Sequence, residues 1–271
     1  MLVLAIVLFA LLLVAVLYVL STKGRSGHPG LPALRGWSYA HRGLHSTDAP
    51  ENSMEAFRRA KRAGYGIELD IHLMKDGQLA VIHDSLLART TGAPGRIEDL
   101  TVADLCKYKL EGTQETIPLF KDVLALYAGE APIIVELKEQ SNYESLCNAA
   151  CELLDRYSGP YCLESFDPRC IYWLRKNRPD LIRGQLTENY FRKSKAKLPW
   201  FLKFALRHQM LNFLTDPDFV AYRYADRKTV SNMLCRKLWK MQGITWTIKT
   251  REEFDTAVAE DWIPIFESFE P

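Results

Sequence analysis

The sequence predicts an α/β fold: a (β/α)8 TIM barrel with a small hairpin insertion, preceded by one N-terminal transmembrane helix. Three observations carry this. Eight short apolar or β-branched runs alternate with amphipathic helical stretches, the pattern of parallel strands joined by crossover helices. Once the apolar first twenty residues are set apart, about 235 to 250 residues remain, the usual size of one barrel domain. No G-x-G-x-x-G or G-x-x-x-x-G-K-[ST] loop opens a helix, which argues against an open doubly wound sheet.

The amino terminus is read first. From Leu2 to Leu20 every residue is apolar apart from the tip of Tyr18, and nineteen residues at ~1.5 Å each cover about 28 Å, enough to span a bilayer. A cleaved signal peptide would want a basic start, a shorter apolar core and an A-x-A-like site, none of which is present. Lys23, Arg25 and Arg35 follow the span and no charge precedes it, which places the body in the cytoplasm of a single-pass cell-membrane protein. Residues 1–20 are thus the expected anchor. Residues 21–36, with four glycines and two prolines, read as a short linker, and 37–271 as the barrel domain.

Along the body, strands are expected near 38–41, 66–72, 133–137, 161–165, 182–186, 219–222, 244–247 and 263–266. Helices are expected near 53–63, 119–128, 143–156, 168–177, 196–210, 229–240 and 251–260. The extra run 78–82 follows Lys75-Asp76-Gly77, whose tight turn favours a hairpin that brings His83 opposite Asp70. Cys106, Cys147, Cys151, Cys162, Cys170 and Cys235 lack C-x-x-C spacing and read as reduced packing residues. The chain is 48% hydrophobic and 25% charged with a net charge of +2, an ordinary globular balance that gives no reason to expect a nucleic-acid partner.

The chemistry lies at strand ends. In Ile67-Glu68-Leu69-Asp70-Ile71-His72, period two puts Glu68, Asp70 and His72 on one face. Two carboxylates inside a barrel suffer desolvation and mutual repulsion unless a cation neutralises them. Glu136 and Lys138 end the run Pro132–Val135 and add a third carboxylate and an ammonium. All-oxygen ligation points to a hard divalent ion, Mg²⁺ or Ca²⁺. His41 and His83 each end an apolar run, and two imidazoles converging on such a site suit acid–base work near neutral pH. Arg42 offers a fork for two phosphate oxygens. Together these groups point to phosphodiester cleavage.

His41-Arg42-Gly43, Pro50-Glu51-Asn52-Ser53, Glu68-x-Asp70, Lys75-Asp76-Gly77 leading to His83-Asp84, Glu136-x-Lys138, Glu164-Ser165-Phe166 and Trp246-Thr247 occur in one order. In that order and spacing the chain resembles the glycerophosphodiester phosphodiesterase family, within the phospholipase C-like phosphodiesterase superfamily, over nearly all of residues 38 to 271. The resemblance implies cleavage of glycerophosphodiesters such as glycerophosphocholine to sn-glycerol 3-phosphate and an alcohol. It implies Glu68, Asp70 and Glu136 as metal ligands, His41 and His83 as proton carriers, and Arg42 and Lys138 as phosphate holders. It leaves open attack by water or by the glycerol 2-hydroxyl through a cyclic phosphate.

Four positions are left open. Asn52 opens a capping box, Asn52-Ser53-Met54-Glu55, or serves the site. Trp246 floors the pocket or fills the barrel. Glu267 stands where the family commonly has the Asp of a Thr-Asp pair, which leaves its role open. His72 matches no family position and is expected behind the ligands or at the lip. From Tyr190 to Phe213, six basic residues mix with Phe191, Trp200, Phe201 and Phe204, a surface for anionic lipid or an ordinary outer helix. Rival functions are a phospholipase C or lysophospholipase D on membrane lipids, or a non-catalytic barrel that binds lipid headgroups.

Overall fold

Period-two alternation decides which side of each strand meets the helices. In β2, Ile67, Leu69 and Ile71 pack outward among Phe57, Phe120, Val123 and Leu146, while Glu68 turns into the barrel. The structure, a computed structural model, describes residues 1–138, 140–192 and 198–271. The strands are β1 (Tyr39–His41), β2 (Gly66–Leu73), β3 (Leu79–Val81), β4 (Ile133–Leu137), β5 (Tyr161–Ser165), β6 (Arg183–Thr187), β7 (Phe219–Arg223), β8 (Gln242–Ile248) and β9 (Trp262–Phe266). All except β3 run parallel, in the order β1-β9-β8-β7-β6-β5-β4-β2, and the β1–β2 pairing closes the barrel. Each expected barrel strand is present within two residues of its predicted bounds.

The helices are α1 (Leu2–Ser21), α2 (Met54–Arg62), α3 (Ala88–Thr91), α4 (Phe120–Tyr127), α5 (Tyr143–Leu154), α6 (Pro168–Asn177), α7 (Trp200–Arg207), α8 (Asn212–Thr215), α9 (Val230–Met233) and α10 (Arg251–Ala259). The helix expected at 196–210 is shorter, and the one at 229–240 begins as α9 and finishes as a π turn over Leu234–Leu238. Side chains on the inner faces of the strands, among them Tyr39, Ile134, Cys162, Phe219, Ile244 and Ile263, fill the lower barrel.

The hairpin register needs correction, and two stretches carry more structure than their sequence suggested. The hairpin forms, but its register is one residue off: Ile71 faces Val81, and Ile82 N–H bonds the Asp70 carbonyl at 3.1 Å, so Ile82 rather than His83 lies opposite Asp70. The stretch 84–118, which shows no periodicity, folds into short turns around its own core of Ile82, Leu87, Ile97, Leu105, Leu110 and Ile117. Residues 21–36 are short but packed: Leu31 and Leu34 are buried with the lower-barrel side chains, and Arg25 and Arg35 bond Asp218 and Gln242 at the amino-terminal rim. Of the cysteines, five are buried as expected and Cys106 is exposed.

Candidate active site

Strand register assembles the site. His41 pairs with Glu68 across β1–β2, Asp70 with Glu136 across β2–β4, and Glu136 with Glu164 across β4–β5. These side chains stand at the carboxy-terminal ends of the strands, the face on which barrel enzymes work. His41, Glu68, Glu136 and Glu164 open on a pocket of ≈ 210 Å³ lined also by Arg42, His83, Phe166, Glu188 and Trp246.

The ligand oxygens of Glu68, Asp70 and Glu136 lie within 4.8 Å of one another, and all three residues are buried. Burial and the neighbouring charges of Asp70, Glu136 and Glu164 push the Glu68 carboxyl well above its usual range. Glu136 and Glu164 are raised the same way. Burial also opposes ionisation of Asp70, but Lys138, His83, Arg42 and Asn52 outweigh it and hold the carboxyl low. Lys138 Nζ sits 2.7 Å from Glu136 and 3.2 Å from Asp70. Glu164 Oε2 is buried without a hydrogen-bond partner. Four buried carboxyls thus face two cations, Arg42 and Lys138, and Arg42 is shared with Glu51 at 2.9 Å. Carboxyls so crowded resist ionising together unless positive charge is added, and an all-oxygen set of this kind fits a hard divalent cation.

Each imidazole is held through one nitrogen. His41 Nδ1 is 2.6 Å from Glu267 Oε2, whose other oxygen meets Lys249 Nζ at 3.0 Å. Burial lowers the His41 pKa, and the hydrogen bond to Glu267 works against that. Glu267 itself is held far below the usual carboxylate range, chiefly by His41. His83 Nδ1 is 2.7 Å from Asp84, which in turn pairs with Arg89. In both cases Nε2 is the nitrogen left for the pocket.

The open positions are resolved as geometry. Ser53, one residue later than expected, caps α2 by accepting Ala56 N–H at 3.1 Å. Asn52 instead donates Nδ2–H to Asp70 at 2.8 Å from a left-handed backbone, φ +56°, a conformation Asn tolerates better than most residues. His72 lies behind the ligands: Nδ1 is 2.9 Å from Glu98 and Nε2 3.2 Å from the His83 carbonyl, so it braces the loop that carries His83. Trp246 lines the pocket edge-on to Phe166, ring centres 5.6 Å apart. Arg42 is less free than a phosphate fork requires, since its Nε lies 3.4 Å from Asp70 while Nη1 holds Glu51. Lys193, Lys195 and Lys197 of the basic-aromatic segment lie outside the described residues. Asp84 stands in the His83-Asp84 motif, which carries no sign of its role, and Glu98 gave no usable sequence signal, because both roles follow from loop shape. Glu164 could have been found, since it continues the inward-facing alternation of β5 after Cys162.

Fold and site together define a barrel enzyme with a carboxylate and imidazole centre at the carboxy-terminal face. Residues 41–259 match the Glycerophosphoryl diester phosphodiesterase family. A glycerophosphodiester phosphodiesterase of Caldanaerobacter subterraneus is 38% identical over 159 residues, 54% of this chain and 65% of that protein. Glycerophosphodiester phosphodiesterase 1 of Mus musculus is 29% identical over 259 residues, 82% of this chain and 74% of the relative. The fold is also that of an Oleispira antarctica phosphodiesterase solved with the product sn-glycerol-3-phosphate, at TM-score 0.68 and 22% identity, over 85% of this chain and 92% of that one. The chain belongs to the glycerophosphoryl diester phosphodiesterase family.

Proposed function

We propose that this protein is a metal-dependent glycerophosphodiester phosphodiesterase that cleaves substrates such as glycerophosphocholine to sn-glycerol 3-phosphate and an alcohol. The observation that carries the reading is the convergence of His41 and His83, each pinned through Nδ1 by a carboxylate, on one pocket with Glu68, Glu136 and Glu164. Glu68, Asp70 and Glu136 would hold Mg²⁺ or Ca²⁺. When bound, such an ion supplies Lewis acidity at the phosphoryl oxygens.

The chain's own residues do the rest. Arg42 and Lys138 set positive charge beside the phosphate position, and Lys138 also limits repulsion between Asp70 and Glu136. One imidazole takes a proton from the attacking hydroxyl through Nε2 and the other delivers one to the departing alcohol. Glu267 and Asp84 fix the imidazole tautomers. Asn52 orients Asp70, and Trp246 with Phe166 walls the substrate.

In this reading residues 1–20 anchor the protein in the cell membrane as a single span, with the barrel of 37–271 on the cytoplasmic side. The support is the length and apolarity of α1 and the positive residues that follow it. The test uses the full chain in detergent, stripped with chelator and resupplied with Mg²⁺ or Ca²⁺, and follows glycerol 3-phosphate release from glycerophosphocholine and glycerophosphoethanolamine. Metal-dependent release that falls by orders of magnitude in His41→Ala and Glu68→Ala upholds the proposal. Metal binding without release from either diester would overturn it.

A further inference from the structure

Glu164 is the buried carboxylate that the proposed chemistry leaves without a task. It pairs in register with Glu136, which pairs in turn with Asp70, so β2, β4 and β5 each set one carboxylate in the same row. One step lower on the same face of β5, Cys162 joins the apolar lower barrel, and at Glu164 the pocket begins. Glu164 is 1% exposed, and its Oε2 has no hydrogen-bond donor among the described residues. The cations near it are engaged elsewhere: Lys138 is held by Glu136 at 2.7 Å and Asp70 at 3.2 Å, and Arg42 by Glu51 at 2.9 Å and Asp70 at 3.4 Å. On the neighbouring strand, Gln185 turns its amide nitrogen to the carbonyls of Ser165, Phe166 and Leu186 and not to Glu164.

A buried carboxylate oxygen is costly without a partner, and the charges that act on Glu164 include those of Glu136 and Asp70, as its own acts on Glu68. A partner for it is therefore a cation placed among these four groups. Bond length decides which cation. Mg²⁺ holds six oxygens at ~2.0–2.1 Å, so oxygens on opposite sides of it are ~4.2 Å apart, whereas Ca²⁺ holds six to eight at ~2.3–2.6 Å, with opposite oxygens up to ~5.2 Å apart. Glu68, Asp70 and Glu136 bring their oxygens within 4.8 Å of one another, a set that Glu164 does not join at that spacing. Three carboxylates and the waters that Mg²⁺ keeps already complete an octahedron. A fourth carboxylate, set farther out, suits the longer bonds and larger coordination number of Ca²⁺.

We propose that Glu164 is a fourth carboxylate ligand of the metal centre and that it makes Ca²⁺, rather than Mg²⁺, the ion this site prefers. The inference rests on the proposed metal dependence, with Glu68, Asp70 and Glu136 as the other ligands. Glu164 then fills a position that the smaller ion leaves to water, and the orphaned Oε2 gains its partner when the ion binds. A coordination number of up to about eight leaves room for a phosphoryl oxygen beside the four carboxylates.

The test strips the full chain in detergent with chelator and measures Ca²⁺ and Mg²⁺ binding by calorimetry, with no substrate present. The unaltered protein should bind Ca²⁺ more tightly. Glu164→Gln, which keeps the shape and removes the charge, should weaken Ca²⁺ by ~10-fold or more and Mg²⁺ by no more than ~3-fold. Glu164→Asp, which keeps the charge and draws the oxygens back by one methylene, should show the same split. Eu³⁺, an oxygen-seeking ion close to Ca²⁺ in size, reports the coordination directly: its luminescence lifetimes in light and heavy water count the waters on the ion, and Glu164→Gln should gain about one. Equal weakening of both ions with no water gained would make Glu164 a charged neighbour and overturn the inference, as would tighter binding of Mg²⁺ by the unaltered protein. Unchanged ion binding in Glu164→Gln with a raised KM for glycerophosphocholine would also overturn it and assign the carboxylate to a substrate hydroxyl. Binding of neither ion by the folded, unaltered protein would instead remove the metal centre from the proposed function, and Glu164's part in it.

Discussion

Glu267→Gln separates the orientation of His41 from its presence. The wild-type carboxylate lies 2.6 Å from Nδ1 and 3.0 Å from the Lys249 ammonium. Glutamine keeps the length and one acceptor oxygen and removes the charge. A hydrogen bond to a charged group is worth ~1.5–3 kcal/mol and a neutral one ~0.5–1.5, so the loss is about 1 to 1.5 kcal/mol, roughly one pKa unit on the imidazole. Burial holds His41 below its usual pKa and Glu267 opposes that shift, so the substitution lowers the pKa further. With His41 unprotonated as the base, the acid limb of kcat/KM moves down by about one pH unit. The plateau falls ~10-fold, because the imidazolium formed on proton transfer loses its counter-charge. Glu267→Ala falls further, since Nδ1 then has no acceptor to fix the tautomer. The assay is glycerol 3-phosphate release between about pH 5 and 9. An unmoved limb with an unchanged plateau would refute the positioning role, and a raised KM at constant kcat would reassign Glu267 to substrate binding.

Four further outcomes are expected. Mg²⁺ or Ca²⁺ at a hundredfold excess over Kd stabilises the chelated protein by about 2.7 kcal/mol, seen as a rise in Tm that Glu136→Gln abolishes; no response to either ion would remove the metal from the reading. Asn52→Ala strips Asp70 of a charge-assisted hydrogen bond and puts Ala at a positive φ, a loss of about 2 to 3 kcal/mol in urea unfolding. Leu34→Ala opens a cavity at the floor of the barrel and costs about 2 to 4 kcal/mol, whereas a value near zero would restore the linker reading. Glu98 has its pKa lowered to about 2: burial works against ionisation, but hydrogen bonds from His72 and Ser85 outweigh it. Its stabilisation is therefore present above the ordinary carboxylate pKa of 4.5 and lost as pH falls toward about 2. Acid titration of Glu98→Gln should show a flatter loss across that window.

The barrel and the heart of the site were legible because both follow from short-range rules. Alternation in β2 turns Glu68 inward, and the same alternation in β4 does so for Glu136. What escaped was set by contacts between distant segments. A single-residue slip in the hairpin moved His83 off Asp70, since the turn takes three residues, 75–77, with Met74 N–H bonding the Gln78 carbonyl, rather than the two of an Asp76-Gly77 turn. Glu267 had no readable role because its partner, His41, lies 226 positions away in the chain and meets it only when β9 closes on β1.

The packing of residues 21–36 escaped for a different reason, and the reason bears on function. Glycine and proline content describes how a segment behaves when nothing holds it, and it cannot register Leu31 and Leu34 entering the barrel floor or Arg25 reaching the fully buried Asp218 carboxylate. A flexible tether would let the barrel face any direction beneath the bilayer. A packed one fixes the direction of α1 relative to the barrel, so the residues that look most like spacer hold the two together. Replacing Arg25 by Met leaves the Asp218 carboxylate with only the Arg183 backbone N–H at 3.0 Å among its hydrogen-bond partners in the described residues. The expected cost is about 2 to 3 kcal/mol, read as a fall in stability on urea unfolding of the full chain in detergent. A cost near zero would mean that Arg25 does not hold residues 21–36 to the barrel and would restore the spacer reading.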